Sequence, residues 1–146
     1  MSETNQSIPT KFTQSIGYAG LIPFIGLSIL SVLSFENLDD FYRTSLIAYG
    51  ATIISFLGAI HWGLCMRESV QTRILLLWGV TPSLIAWISL LLDTSYALAI
   101  QSLSLWMCLL VDFKLYPLYG LANWLRFRLT LTVISSICVT IPLAIN

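Results

Sequence analysis

A single compact bundle of five membrane-crossing α-helices is the fold class this sequence predicts, and three observations predict it. Apolar residues make up 57% of the 146-residue chain and charged residues only 10%, with a mean hydropathy of +0.84, which is a membrane composition. Five apolar stretches each match the roughly 17–25 residues a helix needs to cross a hydrocarbon core. The links between them are short, so consecutive helices are expected to be antiparallel neighbours, and no strand-like alternation competes.

Residues 17–35 are the first expected crossing. Lys11 before an apolar run, and Val32-Leu33-Ser34 before Phe35, outline a cleavable signal peptide over 11–34. Pro23 and Gly26 inside the run suit a packed span better, so the segment is expected to stay in the chain. Glu3 and the absence of arginine at the head differ from an Arg-rich mitochondrial presequence. The expected location is a bacterial cytoplasmic (inner) membrane. Glu36, Asp39 and Asp40 follow with Arg43 and read as a solvated outer loop.

The second crossing, 44–66, repeats small residues every fourth position at Ala51, Ser55, Ala59 and Gly63, with Gly58 beside them. Such a ridge admits a neighbouring backbone closely, within the chain or between copies. The only histidine, His61, lies off that ridge, on a stripe with Ile54, Gly58 and Cys65. Six residues before Arg67, it sits roughly 9 Å below the charged boundary at helical rise. Two readings stay open. A neutral imidazole bonded to a carbonyl or hydroxyl serves as packing glue, whereas an ionisable group within a membrane often marks function.

The third crossing, 73–92, contains Pro82 in WGVTPSLIAW. Proline removes one backbone bond and bends the helix, and Thr81 or Ser83 is expected to satisfy the freed carbonyl. In the fourth crossing, 94–111, Gln101, Ser104, Cys108 and Asp112 recur at spacings that line one helix face. Asp112 ends on the same side as His61, and Arg126 and Arg128 start the next helix at that level. A His–Asp–Arg group is therefore expected at the inner mouth, with Gln101 deeper. A boundary carboxylate paired with Lys114 or an arginine is the plainer alternative. Residues 113–128, FKLYPLYGLANWLRFR, interleave five aromatics with three cations and read as an interfacial segment, Pro117 opening a short helix. The fifth crossing is 129–145.

Charge position sets the orientation. With the N-terminus cytoplasmic, inner segments hold Lys11, Arg67, Arg73, Lys114, Arg126 and Arg128, and outer segments hold only Arg43. The positive-inside bias then places the C-terminus outside.

Several function classes are excluded. Basic and acidic residues balance at seven each, so no field gathers nucleic acid. Cys65, Cys108 and Cys138 form neither a CxxC pair nor a disulfide framework and read as core residues. One histidine cannot supply bis-His haem ligation, and HExxH, GxSxG and phosphate-loop motifs are absent. No catalytic residue, cofactor or metal is assigned.

SFLGAIHWG, followed by PSLIAW, Asp112 and WLRFRLTLT, resembles a family of small multi-pass membrane proteins of unknown function. It groups bacterial inner-membrane proteins with the animal mitochondrial transmembrane protein 69. The likeness runs over about residues 17 to 140, on Ser55, Gly58, His61, Trp62, Gly63, Pro82, Trp87, Asp112, Trp124 and Arg126. The resemblance implies a membrane fold and brings no activity.

The leading expectation is a polar pocket of His61, Trp62, Gln101, Ser104, Asp112 and Arg126 near the cytoplasmic face, holding a partner subunit or a small ligand. Besides the bilayer, a membrane protein partner or a second copy is the expected company. A proton-coupled transporter or channel with His61 as relay is one alternative. A lipid- or quinone-modifying enzyme is another, ranked lower because no nucleophile or cofactor motif accompanies the histidine.

Overall fold

The computed structural model describes residues 8–33, 38–68 and 73–144. Their regular structure is helical: α1 (Lys11–Ala19), α2 (Leu21–Leu33), α3 (Asp39–Glu68), α4 (Arg73–Ser89), α5 (Thr94–Leu115) and α6 (Leu125–Ala144). Two short 3-10 turns, Tyr116–Tyr119 and Ala122–Trp124, join α5 to α6. The runs Lys11–Leu33, Asp39–Arg67, Thr94–Tyr119 and Ala122–Ala144 are each long and apolar enough to cross a membrane, and α4 is a shorter apolar helix. Five helical crossings result, and the chain is a multi-pass membrane protein.

The first crossing is jointed. Thr10 caps α1 by accepting from the Thr13 amide at 3.2 Å, and the helix breaks at Gly20. There the Tyr49 hydroxyl of α3 donates to the Gly20 carbonyl at 2.8 Å. Pro23 lies in the first turn of α2, where its missing N–H costs nothing, so the interruption at Gly20 precedes the proline. The ends expected at 35 and 145, and Glu3 and Glu36, lie outside the described residues.

Asp39 and Asp40 open α3 in its first turn, complementing the helix dipole, and Asp39 pairs with Arg43 at 2.8 Å. This helix is the hub, packing on α2, α4 and α5 and more lightly on α6. Its tightest seam, with α4, passes through Gly58, where a Cβ would press on the Gly79 carbonyl and on Pro82. Trp62 closes that seam by donating Nε1–H to the Leu76 carbonyl at 2.9 Å. The ridge expected at Ala51, Ser55, Ala59 and Gly63 is buried only at its far end. Ala59 is exposed, and a Cβ on Gly63 would meet nothing within 4 Å among the described residues. α4 brings Gly79 and Pro82 opposite Gly58, and this complementarity selects the neighbouring stripe.

Neither expected hydroxyl serves Pro82. Thr81 donates to the Leu77 carbonyl and Ser83 to that of Val80, whereas proline at 82 deprives the carbonyl of Trp78. α4 is also shorter than expected, closing through Leu90–Leu92 with i→i+3 bonds. α5 runs to Leu115 and α6 starts at Leu125, so the interfacial segment narrows to 116–124. It reverses at Gly120, whose φ of 68° lies in the left-handed region that glycine enters without strain.

Phe24, Leu46, Ile54, Leu98, Leu105, Leu109 and Val139 form the dry centre. Phe12, Phe56, Ile74, Trp87 and Leu110 point outward. Large apolar side chains outside and polar groups inside are what a hydrocarbon solvent imposes.

Candidate functional site

Three helices bring one ionisable side chain each to the end of the bundle that carries Arg67, Arg73, Lys114 and Arg126. The inward stripe of α3, through Ile54 and Gly58, delivers His61. The buried face of α5 through Leu105, Cys108 and Leu109 delivers Asp112, and α6 delivers Arg128 above Thr132. His61 and Asp112 are each 1% exposed, and the Arg128 side chain is 9% exposed.

Asp112 divides its two oxygens between the other two groups. Oδ2 accepts from Arg128 Nε at 2.8 Å and lies 2.7 Å from Nη2. Oδ1 lies 3.2 Å from His61 Nε2, off the line a hydrogen bond needs, and His61 Nδ1 has no hydrogen-bond partner among the described residues. Tyr116, 3% exposed, closes the group. Its ring centroid is 6.4 Å from that of His61. Asp112 and Arg128 compensate each other's charge. Taking such charges out of water costs several kcal/mol per ion, and close pairing offsets that cost.

The structure brings together part of the expected set and adds to it. His61 and Asp112 meet, but Arg126 is exposed and Arg128 takes its place. Two residues apart on a helix point about 200° away from each other, so only one of the two arginines can face the bundle. Lys114 is exposed, so the carboxylate's partner is the arginine. Trp62 belongs to the α3–α4 seam and is 41% exposed.

Gln101 forms a separate polar node, about 16 Å from Asp112 along α5 at helical rise. Its Nε2 donates to the Ile47 carbonyl at 2.8 Å and to Ser89 Oγ at 3.0 Å. A Cβ on Gly50 would run into Gln101 Oε1, so glycine is what lets the amide reach α3. Ser104 donates to its own helix at the Ile100 carbonyl, 2.7 Å away. Between the two nodes the buried face of α5 presents Leu105, Cys108 and Leu109.

Sequence reasoning left out Tyr116 and Thr132. The i, i+4 spacing of Arg128 and Thr132 was the available signal. Thr132 is 2% exposed and its hydroxyl has no hydrogen-bond partner among the described residues. Together with Arg128 it lines a cavity of about 340 Å³ whose walls include Leu21, Phe24, Phe56 and Leu57. That volume lies at the lower end of small-molecule sites. Among the described residues no group of three or more His, Cys, Asp or Glu side chains could hold a metal ion, and all three cysteines are free and buried.

A family model described as a protein of unknown function (DUF3429) matches residues 9–144. The chain is similar to transmembrane protein 69 of Xenopus tropicalis, 32% identical over 130 residues, covering 82% of this chain and 49% of the relative. It is equally similar to transmembrane protein 69 of Mus musculus, 32% identical over 134 residues, with 88% and 54% covered. The chain spans about half the length of these curated relatives. No solved structure matches it.

Proposed function

The chain belongs to the DUF3429 family of proteins of unknown function, and from its buried cluster we propose that it is a ligand-binding protein of the bacterial cytoplasmic membrane. Its N-terminus is cytoplasmic, and the cluster lies near that face. The single observation behind this reading is that His61, Asp112 and Arg128, from three helices, converge out of solvent while Arg128 alone of the three lines an intramembrane cavity. Ionic groups within a membrane almost always face the bundle interior or a cavity and often mark function.

A small ligand fits this arrangement better than a partner subunit. With His61 and Asp112 each 1% exposed, a neighbouring protein surface has nothing of theirs to touch, and access runs through Arg128. The orientation is supported by Lys11, Arg67, Arg73, Lys114 and Arg126, which mark one end of the bundle.

Filling the cavity tests the proposal. Ile53 is on its wall, and Ile53→Trp adds bulk there without touching the cluster. Wild-type protein, extracted from cell membranes in mild detergent and analysed by mass spectrometry, is expected to retain one small molecule per chain that Ile53→Trp lacks. Equal retention by both, or none by the wild type, overturns the proposal.

A further inference from the structure

We infer that the cavity beside Arg128 takes the acyl chain of a membrane glycerolipid, with the uncharged ester carbonyl of that chain received by Arg128 and Thr132. The inference rests on the ligand-binding reading above and names the ligand's chemistry.

Donor chemistry comes first. Arg128 carries five N–H donors; its contacts to Asp112 use Nε and Nη2, and the Nη2 contact is not aligned as a hydrogen bond. Thr132, buried on the same cavity wall, has a hydroxyl without a hydrogen-bond partner among the described residues. A buried hydroxyl left without a bond is costly, so the site is built to receive an acceptor oxygen.

Charge then selects the kind of acceptor. Asp112 already balances Arg128, so a carboxylate or phosphate arriving at this depth would add an uncompensated negative charge in a medium of low dielectric. An uncharged carbonyl avoids that cost.

Shape and level select the source. Ile16 and Phe56, both exposed on the outer surface of the bundle, form part of the rim, so the cavity is entered from the bilayer. Its polar end is close to the charged boundary: Arg128 and Thr132 lie roughly 3 and 9 Å inward of Arg126 at helical rise. The polar band of a bilayer occupies about 5–8 Å on each side of the hydrocarbon, which is where glycerolipid esters sit. Leu105 and Ser135 continue the lining inward, along the course of the chain attached to such an ester.

The test places the full chain in bicelles holding equal amounts of ester-linked and ether-linked phosphatidylglycerol of one chain length, which differ only in the carbonyls. Native mass spectrometry after mild detergent extraction reads the lipid retained. The wild type is expected to keep about two- to tenfold more ester than ether lipid, the range of one net hydrogen bond. That preference should fall toward parity in Thr132→Val. Retained lipid at parity on the wild type overturns the carbonyl assignment and leaves the ligand-binding reading standing. An ester preference undiminished in Thr132→Val overturns the placement of the carbonyl. A quinone that arrives with the protein from cell membranes and is displaced by neither lipid overturns the lipid source. If the wild type and Ile53→Trp are both bare, the reading beneath this inference has failed.

Discussion

Two polar nodes sit inside the same apolar bundle and are built on opposite principles. Around Gln101 everything is neutral: one amide nitrogen donates to a backbone carbonyl of α3 and to the Ser89 hydroxyl, with Gly50 cleared to let the amide approach. Around Asp112 two charges and an imidazole are buried together, the histidine contact is misaligned, and a cavity touches the arginine. The first node has a sufficient explanation in joining three helices, since neutral interhelical bonds stabilise membrane bundles modestly. The second incurs a desolvation cost that helix joining alone does not require, because apolar residues of similar volume pack as well or better than a buried ion pair. The contrast separates glue from a site by buried charge and an adjoining cavity, since Gln101 Oε1 is likewise buried without a hydrogen-bond partner among the described residues.

The largest expected effect breaks the charged node. Asp112→Leu leaves Arg128 buried and uncompensated, and unfolding measured in detergent micelles should show a loss of about 3–5 kcal/mol. Replacing both partners, as Asp112→Leu with Arg128→Met, should restore most of that stability, because the isolated charge is the costly species. A double variant as unstable as the sum of the two singles would mean that the groups are not coupled, and the contrast with Gln101 would lose its basis.

A smaller effect is expected at the neutral node. Gln101→Leu removes two hydrogen bonds, each about 0.6–1.7 kcal/mol in a membrane interior, and leaves no charge behind. Gly50→Ala should destabilise by displacing the amide, and should cost nothing further once Gln101 is already leucine. A Gln101→Leu variant that falls as far as Asp112→Leu in the same unfolding assay would erase the distinction between the nodes.

How much of this was legible in the sequence follows from which physical signal each feature leaves. The five crossings were legible because hydrocarbon thickness sets a length that composition reveals directly. The meeting of His61 with Asp112 was legible by level, since each is counted from a charged boundary on its own helix. Choosing between Gly58 and the ridge through Ala59 was not, because both are small and the decision is made by Gly79 and Pro82 on another helix. The jointed first crossing depends on a tyrosine hydroxyl 29 residues away from Gly20, which no local pattern announces. Thr132 escaped notice because a threonine suits either face of a membrane helix.

The arginine assignment failed for a specific reason, and it supplies the smallest expected effect. Over Leu125-Arg126-Phe127-Arg128-Leu129-Thr130-Leu131-Thr132 the apolar and polar residues alternate strictly, so in a helix each class spreads around the whole circumference and the inward face cannot be read from this stretch. Packing resolves it: Phe127 lies against Gly17 and meets Tyr18 edge-on, with centroids 5.3 Å apart, which turns Arg128 inward and Arg126 outward. Arg126→Ala should therefore change unfolding stability by no more than about 0.5 kcal/mol, as surface substitutions do, and should leave lipid retention unchanged. Arg128→Ala should match the loss expected of Asp112→Leu. If the two arginine variants behaved alike, the helix would be turned otherwise than described, and the charged node would have to be rebuilt around Arg126.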